Sequence, residues 1–346
     1  MSDREKTVVV FGGAGYIGWH VVNQLVVAGQ HCTIVDTSDE KCWEDNPNVK
    51  HYQVCVKDLE DYRLRLSEIA STYDVIGVIN LAGATRNDNV NNPPNQYYSN
   101  NLATNIMILE WMLENNLNNL VFASSASVYS SAPTRKEFIT ECDPLMPRSA
   151  YSMTKFMTEV MLVDYKQMGI KSLTLRYFNV VGCDENYNST GLYKKESLSS
   201  RALRQVLDPK DLNDTLMLCG YPKDINQYTP PVLDFVDVRD IAAATVAALQ
   251  HLIDTPNVNH LFHSVMNVGT ERGTSLTRLL DIYSKAAGQE IKYTFRNAYK
   301  YETPRCVSNC NLIRNKLGFQ STYTVEESAK SMVEYMKRVA KPLNSP

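Results

Sequence analysis

The sequence predicts an α/β protein, a doubly wound parallel sheet followed by a smaller C-terminal lobe, and three observations carry that expectation. The apolar run Val8-Val9-Val10-Phe11 stops at Gly12-Gly13-Ala14-Gly15 and restarts at helical spacing over 19–27, the pattern of a buried parallel strand, a tight turn and a helix. Apolar strand-like runs then alternate with helical stretches as far as residue 123, as they do in a sheet covered on both faces. Past Gly182 the alternation gives way to polar loops with scattered helices. The change of pattern puts the first boundary at residue 182.

Each element has its own reason. Gly13, Gly15 and Gly18 fit a dinucleotide-binding spacing, with Gly12 in front. Such a turn aims backbone N–H groups and the positive end of the helix dipole at one point, which suits a phosphate. The next strand, over 32–35, closes on Asp36. An acid there accepts from a ribose 2′-hydroxyl and repels a 2′-phosphate, so the expected cofactor is NAD and not NADP. Residues 37–50 are polar and hold Asn46-Pro47-Asn48, a loop; 51–56 alternates as a strand and leads to Asp58-Leu59, where a carboxylate can meet an adenine amino group. Helical spacing follows over 62–70, and a fourth apolar run over 75–81 ends in Leu81-Ala82-Gly83. Small residues at a strand's carboxyl end let a cofactor approach the backbone. A long helix over 96–114 then precedes a strand over 120–123.

That strand runs into Ser124-Ser125-Ala126-Ser127-Val128-Tyr129, and a polar loop leads to Tyr151-Ser152-Met153-Thr154-Lys155. Tyr151 and Lys155 are four apart and share a helix face. An ammonium and a positive nicotinamide ring beside a phenol favour its phenolate. Lowering a phenol from about 10 to about 7 needs about 4 kcal/mol, within reach of two close positive charges in a dry site. A hydroxyl from Ser125 can bridge the same substrate oxygen, completing a proton relay beside a hydride acceptor. A lone Tyr-x-x-x-Lys carries little in a chain with 20 tyrosines; the serine-rich strand end, on the same sheet edge as the glycine turn, gives it meaning. Ser124 and Ser127 flank Ser125, and either can cap the turn instead.

Further segments complete a pattern: Tyr97-Tyr98-Ser99-Asn100-Asn101-Leu102-Ala103-Thr104, Arg176-Tyr177-Phe178-Asn179-Val180-Val181-Gly182, Asp234-Phe235-Val236-Asp237-Val238-Arg239-Asp240 and Asn267-Val268-Gly269-Thr270. Together with the glycine turn and the serine and tyrosine segments, they resemble the extended short-chain dehydrogenase/reductases, most closely the UDP-galactose 4-epimerases, over nearly the whole chain. The resemblance implies a Rossmann-type sheet over 1–182 with 233–270 returning to it, a substrate-binding lobe of 183–232 and 271–346, catalysis by Ser125, Tyr151 and Lys155, and Asn101 as a support of the proton relay. It implies cofactor contacts at Gly12, Gly15, Tyr16, Ile17, Gly18, Asp36, Asp58 and Leu59. Leu81, Ala82, Gly83, Asn100, Tyr151, Lys155 and Tyr177 complete that set. Substrate contacts are implied at Ser125, Tyr151, Asn179, Ser197 and Leu198. It also implies a homodimer through the long helix after Asn92 and the one bearing Tyr151, where Phe156, Met157, Val160 and Met161 can equally be core.

The chain departs from the family in its second half. Leu233 stands where an arginine precedes the Asp-Phe pair, and Thr303-Pro304-Arg305-Cys306 replaces a second arginine motif. Ser197-Leu198 takes the place of Asn-Leu, and Thr85-Arg86 that of a lysine. Arg201, Arg204, Arg296 and Arg305 are the candidate substitutes. Ala126 and Ser127 follow Ser125 where dehydratases and decarboxylases of the family carry an acid, which leaves epimerisation or simple oxidoreduction. The expected activity is UDP-glucose/UDP-galactose 4-epimerisation through a 4-keto sugar. The alternatives are an NAD-dependent dehydrogenase or ketoreductase on a substrate lacking pyrophosphate, and a non-catalytic NAD sensor.

Composition excludes other classes. A net charge of −3 without a basic stripe argues against nucleic acid, and no apolar stretch approaches a membrane-spanning length. The 8 cysteines include no Cys-x-x-Cys pair, and His260 and His263 lack nearby acidic or cysteine ligands. Reduced, mostly buried thiols in a cytoplasmic protein, with no structural zinc, are expected. Helices are expected over 197–206, 238–250, 275–287 and 325–335, and a proline-containing loop over 220–231. The sequons at 188–190 and 213–215 are chance matches in an asparagine-rich chain.

Overall fold

A computed structural model describes residues 4–38, 43, 45–55, 58–84, 93–129, 136–184, 197–207, 215–224, 227–255, 263–298 and 302–340. Thr85-Arg86, Cys42, Asn92, His260, the sequon at 188–190, residues 213–214 of the other and the polar stretch over 185–196 lie outside them. The chain divides into two compact units, one from 1–125, 149–176 and 242–266, the other from 126–148, 177–241 and 267–346.

The first unit is built on a seven-stranded sheet. Its strands are β1 (Lys6–Phe11), β2 (Cys32–Asp36), β3 (Val49–Gln53), β4 (Asp74–Asn80), β5 (Asn119–Ser125), β6 (Lys171–Tyr177) and, out of chain order, β11 (His263–Val268). The spatial order is β11-β6-β5-β4-β1-β2-β3, and the pairs β3–β2, β2–β1, β1–β4 and β4–β5 are parallel. Strand order reverses between β1 and β4, the switch point where ligands bind in sheets of this kind. Helices α1 (Tyr16–Val27), α2 (Leu59–Thr72), α3 (Pro94–Tyr97), α4 (Ala103–Glu114) and α5 (Ala150–Gln167) supply the crossovers. Val9, Val10 and Phe11 are at most 1% exposed, as a strand covered on both faces requires. Phe11 meets Trp111 of α4 edge to face at 5.9 Å, and the Trp111 indole donates to Leu66 O at 2.9 Å. Trp19 of α1 stacks on Trp43 at 5.4 Å.

The helix expected over 96–114 is interrupted. Between α3 and α4 the backbone takes a π-helical turn, Tyr98–Leu102, which inserts Asn100 and Asn101; such turns often mark functional positions. The remaining helices are α6 (Leu198–Leu207), α7 (Val238–Asp254), α8 (Leu276–Ala287), α9 (Asn311–Leu317) and α10 (Val325–Ala340).

The second unit holds more strand than expected. β7 (Asn179–Val181) runs parallel to β10 (Val232–Asp237), which also pairs with β12 (Gly273–Ser275) and β14 (Arg305–Cys306). These pairings, and a bridge from Ile139 to Ser308, run within the second unit, which takes in 126–148, 177–182 and 233–241. The loop expected over 220–231 is a correction. β8 (Leu216–Asp224) pairs with β9 (Gln227–Thr229) and with β13 (Tyr293–Asn297). Leu216 and Leu218 are at most 1% exposed while Met217 is 56% exposed, the period of a half-buried strand. Pro222 is tolerated because β13 pairs only as far as Gly220 and the register to β9 is irregular there. α6, α8 and α10 pack together around Tyr283, Ala329, Met332 and Met336. The described cysteines are free thiols; Cys32, Cys183, Cys306 and Cys310 are buried, Cys55 and Cys142 exposed.

Candidate functional site

The glycine turn is shaped by close backbone approach. Gly12 has φ 77°, and a Cβ on it would stand 2.8 Å from Ala82 N; one on Gly18 would stand 2.0 Å from Gly12 O. Only glycine fits both positions. α1 begins at Tyr16 with Gly15 as N-cap, and it has neither a side-chain cap nor an acid in its first turn. A helix start of that kind suits an anionic ligand. Asp36, at the carboxyl end of β2, is aimed back at the turn: its Oδ2 accepts from Ala14 N and its Oδ1 from Ser38 N, each at 3.0 Å. Asp58 caps α2 through Asp61 N at 3.1 Å, and Leu59 beside it is 53% exposed.

Beside the turn, Leu81 N donates to Phe11 O at 2.9 Å and Ala82 N to Asn80 Oδ1 at 3.1 Å. Asn101 is 1% exposed and fully used: its Oδ1 accepts from Ala84 N at 2.7 Å, and its Nδ2 donates to Thr154 Oγ1 at 2.9 Å. Asn80 donates to Asn105, and Asn105 donates to the Asn101 carbonyl at 2.6 Å. The Asn100 carbonyl accepts from Thr104 Oγ1 at 2.5 Å. These bonds tie the segment after β4 to α5 through the π turn.

α5 opens with a capping box. Ser149 Oγ accepts from Ser152 N at 3.1 Å, and Ser149 N donates to Ser152 Oγ at 3.0 Å, which fixes the first turn. Tyr151 sits in that turn, hydrogen-bonded to Ser125 at the end of β5. Lys155 follows on the same face, 5% exposed, and its Nζ donates to Ala123 O at 2.8 Å. That Nζ lies 5.9 Å from the centroid of the Tyr151 ring. Burial pushes the Tyr151 phenol up, the Ser125 hydrogen bond pulls it down, and Tyr97 pushes it up. Burial pushes the Lys155 ammonium down from 10.5 to about 8, with Glu159 acting against it. Within the chain, desolvation therefore outweighs the pull towards phenolate that the sequence suggested.

The second unit receives the other expected residues. Tyr177 closes β6 and is 5% exposed. Asn179, in β7, donates from Nδ2 to Asp234 O at 3.0 Å. Ser197 caps α6, accepting from Ser200 N at 3.2 Å, and Leu198 is the first helical residue. Leu233 is paired in β10 against Thr274 and Cys306. Arg296 grips Glu302 through two bonds of 2.9 and 2.7 Å, and Arg305 donates to Glu137 O at 3.0 Å. The structure thus gathers the glycine turn, Asp36, Leu81 to Gly83 and Ser125 at strand ends of one sheet, with Asn101 of the π turn bonded to Ala84 and Tyr151 and Lys155 of α5 bonded to Ser125 and Ala123. Asn179, Ser197 and Leu198 stand on separate elements of the other unit. Sequence reasoning missed the buried set Ser124, Glu159 and Arg176; the available signal was an acid four residues after Lys155.

The chain matches the NAD dependent epimerase/dehydratase family over residues 8–269. A UDP-glucose 4-epimerase of Lactobacillus helveticus is 32% identical over 318 residues, 90% of this chain and 91% of that protein. The structure is similar to that of UDP-glucose 4-epimerase from Bifidobacterium longum in complex with NAD+ and UDP. The TM-score is 0.82 at 26% identity, covering 96% of this chain and 98% of the other. UDP-glucose 4-epimerase from Brucella ovis in complex with NAD gives a TM-score of 0.84 at 25% identity, with coverage of 96% and 98%.

Proposed function

Because the chain belongs to the NAD-dependent epimerase/dehydratase family, we propose that it interconverts UDP-glucose and UDP-galactose through a 4-keto intermediate. The observation that carries the reading is the set of half-buried Ser125 and Tyr151 with buried Lys155, brought together at the sheet edge that also bears the glycine turn. The cofactor is NAD, and the chain fits it: a Cβ would fill the cradle at Gly12 and Gly18, and the start of α1 is uncapped by side chains. Gly12, Gly15, Tyr16, Ile17 and Gly18 would hold its pyrophosphate and Asp36 a ribose. Asp58 and Leu59 would border the adenine, and Leu81, Ala82, Gly83, Asn100 and Tyr177 the remainder. When bound, NAD accepts the hydride from C4 of the sugar and returns it.

Tyr151 Oη takes the proton of the 4-hydroxyl, and Ser125 Oγ hydrogen-bonds the same oxygen. Lys155 supplies the positive charge that favours the phenolate. Asn101 supports the relay from behind α5 through Thr154. Asn179, Ser197 and Leu198 are the proposed substrate contacts, so the first unit is read as nucleotide-binding and the second as substrate-binding. Met157, Val160 and Val163 of α5 and Ile106 of α4 are 39% to 49% exposed; an apolar face of that kind supports a homodimer. Among the described residues no helix is long and apolar enough to cross a membrane, and the free thiols are in keeping with a cytoplasmic protein.

The test is to incubate the purified chain with UDP-galactose and follow UDP-glucose. Turnover that is lost in Tyr151→Phe is expected; no turnover with either protein ends the proposal. One observation favours a second reading, a dehydrogenase or ketoreductase on a substrate without pyrophosphate: Leu233 replaces the family's arginine, while Arg296 and Arg305 are already engaged within the chain. That reading predicts a stoichiometric change in NADH with a small hydroxy or keto compound, which an epimerase does not give.

A further inference from the structure

The face of α5 that carries Tyr151 and Lys155 continues one turn further to Glu159, a carboxylate 5% exposed. Burying a carboxylate is costly unless its oxygens are hydrogen-bonded and its charge is opposed. Both conditions are met. Arg176, near the end of β6 and 3% exposed, donates from Nε to Oε1 at 3.0 Å and from Nη2 to Oε2 at 2.6 Å. Ser124 Oγ donates to Oε1 at 2.5 Å. Neighbouring residues of β5 are thereby tied to successive turns of α5: Ser125 to Tyr151, Ala123 to Lys155 and Ser124 to Glu159.

Among the described residues, the charges around Lys155 are few. β5 brings no ionisable side chain, only Phe122, Ala123, Ser124 and Ser125. Tyr97 and Tyr151 bring phenols, β6 brings Arg176, and β11 brings His263, which is bonded to Ser172 and feels Glu159, Arg176 and Lys166. The hydrogen bond of Lys155 goes to a neutral carbonyl. Among the described residues, Glu159 is the negative charge acting on that ammonium.

We propose that Glu159 is a positioning residue for the proton-transfer pair: held by Ser124 and Arg176, its carboxylate is the buried charge set against the Lys155 ammonium, and Arg176 limits how much of that charge Lys155 feels. Burial pushes Lys155 down and Glu159 pulls it up. Without the carboxylate the lysine releases its proton at lower pH, and Tyr151 loses the cation that favours its phenolate. The inference rests on the reading of Tyr151 and Lys155 as the proton-transfer pair.

Nitrogen NMR of the NAD-bound chain, labelled at the lysine side chains and free of sugar, follows the Lys155 titration directly. In Glu159→Gln the midpoint falls by about one pH unit or more. In Glu159→Asp, which keeps the charge, it stays near the wild-type value. In Arg176→Gln, which frees the carboxylate of its competing cation, it rises. A midpoint unmoved in Glu159→Gln, or moved equally by the Gln and Asp variants, overturns the proposal; if Glu159→Gln does not fold, a midpoint that fails to rise in Arg176→Gln overturns it instead. The titration needs no turnover, so lysine shifts as stated in a chain that does not convert UDP-galactose count against the reaction and leave the charge pairing standing. With turnover, the alkaline limb of kcat in Glu159→Gln moves down with the lysine midpoint while KM stays unchanged.

Discussion

The two units use their motif residues in opposite ways. In the first, the glycine turn, Asp36 and Leu81 to Gly83 surround a helix start that no side chain caps. In the second, the acids of Asp234-Phe235-Val236-Asp237-Val238-Arg239-Asp240 are consumed inside the fold. Asp234 is 0% exposed and accepts from the N–H and hydroxyl of Thr270, the N–H of Glu271, and the N–H and hydroxyl of Ser308. Asp237 accepts from Arg239 and Ser328, and Asp240 from Thr322 and Tyr323. The same kind of side chain borders the glycine turn in one unit and staples strand to loop in the other. A motif alone does not say which.

That contrast can be broken most severely at Gly18. Gly18→Ala puts a methyl 2.0 Å from a backbone oxygen that cannot yield, so NAD affinity measured by calorimetry should fall about 100-fold or more. A variant that binds NAD normally would show that this close approach does not govern dinucleotide binding. Asp234→Ala should instead leave NAD affinity alone and cost about 3 to 5 kcal/mol in urea unfolding, because the donors around it stay buried without an acceptor. Lost substrate binding at unchanged stability would make Asp234 a ligand contact and erase the distinction.

Leu233→Arg sharpens the comparison from the other side. A charged hydrogen bond to a pyrophosphate is worth about 1.5 to 3 kcal/mol, so UDP should bind about tenfold tighter or more; an unchanged affinity would place nucleotide recognition on other residues. The smallest effect is in pH. Lys155 binds its proton with a midpoint of about 8 folded against 10.5 as an ordinary lysine. Activity that needs the ammonium should decline above about 8, readable in a kcat profile. Between those values the unfolded chain holds more protons, so this group's contribution to stability rises with pH as activity falls.

What could be read from the sequence follows the range over which each feature is determined. The glycine turn and the Tyr151 and Lys155 pairing are set by residues a few positions apart, and both are legible. The Glu159 and Arg176 pair joins α5 to β6 across 17 positions, and a buried ion pair leaves no periodic trace. Asn101 is legible as a residue but not as part of a π turn, which has no composition of its own. β8 reads as a loop because Gly220 and Pro222 are turn residues by propensity; the limited reach of β13 that accommodates Pro222 is a tertiary fact.

The 3 tryptophans, Trp19, Trp43 and Trp111, all belong to the first unit. Indole emission therefore reports on that half of the molecule, and Trp19, on the helix that leaves the glycine turn, should make it respond to dinucleotide occupancy. Paired with a backbone signal that weighs every residue, the same light would reveal whether the two halves melt together or in sequence.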